Sequence, residues 1–211
     1  MPQRRFLTAS AAALALAVLI AVVTARGDHP FALDTALHDW ALEHRSPGWV
    51  DFFTVVTDSG SRGLPHLLAA LAGALTVPRG RRWAGAIVGA GALVLAQWLR
   101  YVLVTAVDRA RPPAADWTRH VNGDALPSGH ASTAALTAIG LAVALLPHCH
   151  RTVTRALAIG VPAAGAVAVG ASRVSLGVHW PTDILAGWLF ATVVTCVLLP
   201  PLGRALGRTR E

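Results

Sequence analysis

The chain has 211 residues, 54% hydrophobic and 14% charged, with a mean hydropathy of +0.53. A disordered chain needs low hydropathy and a disulfide scaffold needs more cysteines than Cys149 and Cys196, so both classes are excluded. The net charge of +7 comes from 18 basic residues, all of them Arg, dispersed between apolar blocks; this argues against nucleic acid as a partner and for basic loops beside a bilayer.

The first block, Leu7 to Ala25, follows Arg4 and Arg5 and is uncharged. Its length approaches the roughly 20 residues that span a bilayer and exceeds the roughly 7 to 15 of a signal-peptide core. Val23-Thr24-Ala25 resembles a cleavage site, but the length favours a retained helix or signal anchor over residues 1–27. Either reading leads the chain out of the cytoplasm. Residues 28–62 mix Phe31, Leu37, Trp40 and Trp49 with Asp28, Asp34, Asp39 and Glu43, the pattern of an amphipathic surface helix rather than a span.

Gly63 to Val77 is the weakest span, short and carrying Pro65 and His66, and the basic turn Pro78-Arg79-Gly80-Arg81-Arg82 follows it. Trp83 to Val107, interrupted by Arg100, then Ala131 to Leu146, Ala156 to Ala171 and Ile184 to Leu199 complete the pattern. The expected fold is all-α, a six-transmembrane-helix bundle. Gly85, Gly89, Ala163, Gly165, Ala166 and Gly170 inside the spans suit close helix approach.

Six spans put both termini on one side. Alternation assigns Arg4, Arg5, Arg79, Arg81, Arg82, Arg151, Arg155, Arg204, Arg208 and Arg210 to the cytoplasm, and every acidic residue except Glu211 to the outside. Arg-dense short loops are the cytoplasmic ones. The expected location is therefore the inner (plasma) membrane, multi-pass, with residues 202–211 as a basic cytoplasmic tail.

Three polar clusters stand at span ends: Asp108 to Pro113, Pro127-Ser128-Gly129-His130, and Ser172 to Asp183. Taken singly they have plain explanations, since Ser128 suits a helix cap, Arg173 can snorkel and His179-Trp180 suits an interfacial anchor. By the topology above, however, all three share the outer face. Together they supply guanidinium forks, a helix N-terminus and two imidazoles, the parts that phosphoryl transfer requires.

These clusters resemble the type-2 phosphatidic acid phosphatase superfamily, which includes membrane lipid phosphatases and vanadium haloperoxidases and whose pattern is K-x6-R-P, P-S-G-H, then S-R-x5-H-x3-D. The chain carries Arg111-Pro112, Pro127 to His130 complete, and Ser172-Arg173, His179 and Asp183 at the family spacing. The departure is at the family Lys, where Val104 stands. Arg100 lies one turn deeper on nearly the same helical face, so it is a candidate replacement cation.

The resemblance implies that residues 28–201 form a membrane phosphatase domain with its active site at the extracytoplasmic interface. His179 would be the nucleophile and Asp183, four residues on, would fix its tautomer if the last helix begins near Pro181. His130 would act as general acid and then base. Arg111 and Arg173, with Ser128, Gly129 and Arg100, would bind the phosphate.

The scheme uses no metal and no cofactor. The partners are the bilayer and a lipid phosphate: a polyprenyl diphosphate, phosphatidylglycerol phosphate or phosphatidic acid. A lipid phosphotransferase, a phosphatase of soluble phosphate esters and a non-enzymatic lipid-phosphate-binding homologue are the alternatives. His29, His38, His44, His66, His120, His148 and His150 read as surface or interfacial residues.

Overall fold

The computed structural model describes residues 2–27 and 29–205. Asp28, and the expected tail residues Arg208, Arg210 and Glu211, lie outside the described residues. Among the described residues eight α-helices follow one another: α1 (Pro2–Ala25), α2 (Ala32–Glu43), α3 (Pro47–Ser59), α4 (Gly63–Leu75), α5 (Arg82–Val107), α6 (Gly129–Leu145), α7 (Thr152–Ser175) and α8 (Pro181–Ala205). No strand forms among the described residues.

Among the described residues five segments are long and apolar enough to cross a membrane: Gln3–Ala25, Arg79–Val107, Gly129–His148, Thr152–Ser175 and Pro181–Arg204. The sixth expected span is α4, whose 13 residues rise about 20 Å against a hydrocarbon core of about 30 Å. Large apolar side chains such as Leu14, Val55, Ile87, Val94, Val161 and Val197 are exposed. A protein surface of this kind is covered by lipid rather than water.

The spans pack around α6, which touches α4, α5, α7 and α8, while α1 lies along α8. Leu93 of α5, Leu126, Leu136 of α6, and Phe190 and Val194 of α8 are buried together at this centre, with Leu16 and Val23 of α1. The α4–α5 seam is unusually close. A Cβ on Gly73 would collide with the Gly85 carbonyl, and one on Gly89 with the Ala69 carbonyl. Glycine at these positions lets the two backbones meet, the small-residue packing that replaces the hydrophobic effect between helices in lipid.

Residues 29–62 fold into two helices rather than one surface helix. Ser46 caps α3 by accepting the Trp49 amide at 3.3 Å, with Pro47 at the first helical position. Asp34, His38 and Ala41 are the buried face of α2, which packs on α7 and α8. Their other side carries an edge-packed aromatic run, with Trp40 and Trp49 at 6.1 Å and Trp49 and Phe53 at 4.9 Å. The α5 helix ends at Asp108, whose φ of +53° is a left-handed cap that Asp tolerates better than most residues. The polar clusters thereby meet at one end of the bundle: after α5, at the start of α6, and between α7 and α8.

Candidate active site

Helix α8 begins at Pro181, so Asp183 lies in its first turn and faces back toward His179. The His179 Nδ1–H donates to Asp183 Oδ2 at 3.2 Å, and the Trp180 amide donates to the same oxygen at 2.9 Å. The tautomer follows from these partners, because a carboxylate can only accept. Nε2 is left as the lone-pair nitrogen, and Arg111 Nη1 donates to it at 2.9 Å.

Arg111 is held rigidly. Its guanidinium donates to the carbonyls of Gly123 at 2.7 Å, Val178 at 2.8 Å and Asp124 at 3.0 Å. Burial lowers its pKa from the ordinary value, and the carboxylates of Asp183 and Asp124 act in the opposite direction.

Arg173, at the end of α7, is buried and donates to Thr57 Oγ1 of α3 at 2.9 Å, while its Nε has no protein partner. Ser128 is the N-cap residue of α6, yet its Oγ makes no capping bond and is buried without a partner. The Ser128 amide donates to the Asp183 carbonyl at 3.1 Å, tying the start of α6 to that of α8. Buried donors with unused hydrogens are costly unless a ligand takes them. Here they surround one imidazole.

Val104, at the family's Lys position, is buried. Arg100 instead reaches the start of α6, where its Nη1 lies so close to Gly129 that a Cβ there would collide with it. Its Nε is also buried without a partner. The structure therefore brings all eight expected residues to one end of the bundle: His179, His130, Asp183, Arg111, Ser128, Gly129, Arg173 and Arg100.

Electrostatics follow from this crowding. Burial, then the charges of Arg111, Arg173, His130 and Arg100, hold the His179 imidazole well below its usual pKa. The depression favours the neutral imidazole, whose Nε2 keeps its lone pair. No group of three or more His, Cys, Asp or Glu side chains that could hold a metal occurs among the described residues.

Sequence reasoning missed the support behind Asp183. Arg109 is fully buried; its Nη1 donates to Asp183 Oδ1 at 2.6 Å and its Nη2 to Asp34 Oδ2 at 2.9 Å. Asp34 in turn accepts the Thr182 amide at 2.9 Å and the Thr182 hydroxyl at 2.8 Å. His38, expected at the surface, is buried, sits 3.1 Å from Asp116 Oδ2 and packs on Trp180. The one available signal was a second arginine two residues before Arg111. Nothing along the chain pairs Asp34 with residue 109.

The PAP2 superfamily model matches residues 85–203, and the chain belongs to that superfamily. It is a helical membrane phosphatase of the PAP2 class. Over 178 residues it is 33% identical to decaprenylphosphoryl-5-phosphoribose phosphatase of Mycolicibacterium smegmatis, covering 81% of this chain and 79% of that one. To the protein of the same name in Mycobacterium tuberculosis it is 29% identical over 187 residues, 87% and 88% of the two chains. The crystal structure of a transmembrane PAP2-type phosphatidylglycerolphosphate phosphatase from Bacillus subtilis superposes with a TM-score of 0.77 at 26% identity, covering 96% of this chain and 99% of that one.

Proposed function

We propose that this phosphatase hydrolyses a lipid phosphate or diphosphate through a phosphohistidine on His179. The observation that carries the reading is the oriented imidazole: Nδ1–H is held by Asp183, and the Nε2 lone pair faces an Arg111 N–H that an incoming phosphate would take over. In the first step the Nε2 lone pair forms a bond to phosphorus and the bond from phosphorus to the leaving oxygen breaks. His130 gives that oxygen its proton. In the second step a water attacks phosphorus, His130 takes its proton, and the P–N bond breaks to release phosphate. Asp183 stabilises the positive imidazolium between the steps.

Arg111, Arg173, Arg100, Ser128 and the Gly129 amide provide donors to the equatorial oxygens, where charge spreads in the transition state. Related proteins named for a decaprenylphosphoryl phosphoribose and for phosphatidylglycerolphosphate favour a lipid whose phosphate is presented at the bilayer surface. Packing of α1 along α8 supports its retention, and α4 fills the sixth place in the bundle. The exposed Arg79, Arg81, Arg82, Arg151 and Arg155 lie at the end opposite the site, which supports a cytoplasmic basic end and an extracytoplasmic site.

The test is phosphate release by the purified protein from a panel of lipid phosphates and diphosphates, with His179→Ala as control. Turnover is expected to survive EDTA, to be inhibited by vanadate, and to vanish in the variant. Loss of turnover in EDTA with recovery on adding a divalent ion would overturn the mechanism.

A further inference from the structure

A cleft of about 310 Å³ opens beside the site, lined by Arg62, His66, Gln97, Arg100, His130 and Thr133 among others. His130 is part of its wall and His179 is not. In an in-line displacement the leaving group departs opposite the nucleophile, on the side of the group that protonates it. The cleft is therefore on the leaving-group side.

Its wall is polar where a membrane helix would ordinarily be apolar. His66 Nε2 and Gln97 Oε1 are 3.1 Å apart, and Gln97 Nε2 donates to Thr133 Oγ1 at 3.3 Å, so one chain of hydrogen bonds crosses α4, α5 and α6. Gln97 and Thr133 stand about one turn deeper than Arg100 and Gly129 on the same helix faces. Ser132, Thr137, Thr192 and Thr195 return their hydroxyls to the carbonyl four residues back. The Thr133 hydroxyl makes no such bond; it accepts from Gln97 and its own hydrogen stays available. Below lies an apolar cavity of about 180 Å³, lined by Ala69, Ala96, Leu136 and Gly140 of α4, α5 and α6 and by Val194 and Leu198 of α8 among others.

We infer that this cleft is the leaving-group subsite, that His66, Gln97 and Thr133 select a leaving alcohol bearing free hydroxyls, of the sugar or glycerol class, and that the apolar chain continues into the cavity below. The inference rests on the phosphatase reading above. A hydroxyl both donates and accepts, which suits an amide, an imidazole and a hydroxyl. The two guanidiniums of the cleft, Arg62 and Arg100, stand about a turn nearer its mouth than His66 and Gln97, and Arg62 lies 3.7 Å from Asp58. A second phosphate at the depth of Gln97 and Thr133 would therefore meet an amide and a hydroxyl instead of a cation, and a purely apolar leaving group would strand the polar wall.

The experiment compares kcat/KM of the purified full chain in mixed micelles for phosphatidylglycerol phosphate, phosphatidic acid and a polyprenyl diphosphate. The first has a leaving alcohol with a free hydroxyl and the others do not. Wild type is expected to prefer it, and Gln97→Leu and the near-isosteric Thr133→Val to cut that preference about tenfold, the effect of one hydrogen bond. Inhibition of wild type by the products, phosphatidylglycerol more strongly than diacylglycerol, needs no variant. Preference for the diphosphate, equal inhibition by the two products, or variants that lose thermal stability with the preference intact would overturn the inference. The last result would reduce the hydrogen-bond chain to interhelical adhesion. Absence of hydrolysis of every lipid by wild type would instead strike the phosphatase reading itself.

Discussion

Arg109 carries two buried carboxylates on one guanidinium, and the planar fork makes that division possible. Arg109→Met would leave Asp34 and Asp183 without their cation, an uncompensated burial that costs about 3 to 5 kcal/mol. A marked fall in the thermal unfolding midpoint in detergent is the expected outcome. Arg100 is a different case, since its guanidinium lies against the start of α6 beside His130. Arg100→Gln is expected to lower kcat/KM about 10²-fold, the scale of one oxyanion donor. Near-wild-type efficiency in a well-folded variant would mean that Arg111 and Arg173 suffice. The depressed pKa of His179 also has a sign. The unfolded imidazole binds a proton below about 6.5, whereas the folded one resists it. Its contribution to stability is complete above that pH and declines as pH falls below it. At the same time, the proposed nucleophile resists protonation in the ordinary imidazole range. An imidazole NMR titration of His179 should show its midpoint well under 6.5.

At the scale of elements, the α4–α5 seam decides where the cleft wall stands. Because Gly73, Gly85 and Gly89 allow backbone contact, His66 on α4 comes within hydrogen-bond distance of Gln97 on α5. Gly89→Val forces a side chain against the Ala69 carbonyl, and overpacking of this kind costs about 1 to 3 kcal/mol. The expected result is a lower unfolding midpoint together with a weakened preference for hydroxylated leaving groups, because His66 and Gln97 move apart. Helices α2 and α3 act as a brace: Asp34 holds Arg109 and Thr182, and Thr57 holds Arg173. Shallow, amphipathic elements thus hold the residues that hold the catalytic ones.

For the whole molecule, the decisive quantity is orientation. The ends of α5 and α7 and the starts of α6 and α8 form one pole, and the exposed Arg79, Arg81, Arg82, Arg151 and Arg155 lie at the other. In a background with Cys149 and Cys196 replaced, Ala115→Cys places a thiol at an exposed position of the pole that carries the site. It should react with an impermeant thiol reagent in intact cells, whereas labelling only after lysis would invert the topology and move the substrate to the inner leaflet.

Much of this protein is determined by local chain properties. Apolar run length set the five long spans, because a bilayer demands a nearly fixed length of uncharged helix. Fixed spacings set His179 with Asp183, and Ser128 with Gly129 and His130, because each group sits within a turn of one helix, where distance along the chain is distance in space. Arg100 was legible for the same reason, as a residue on the face that carries Val104. What only the tertiary structure decided involves partners far apart in sequence. Asp34 and Arg109, Thr57 and Arg173, and the chain from His66 through Gln97 to Thr133 each join separate helices. The amphipathic character of residues 29–62 was legible, but not that the buried polar face of α2 lies against protein, because composition does not name the partner. The close approach of α4 to α5 was likewise settled by their glycine seam. Close helix packing depends on which small residues face each other across the seam, and that is a property of two helices together.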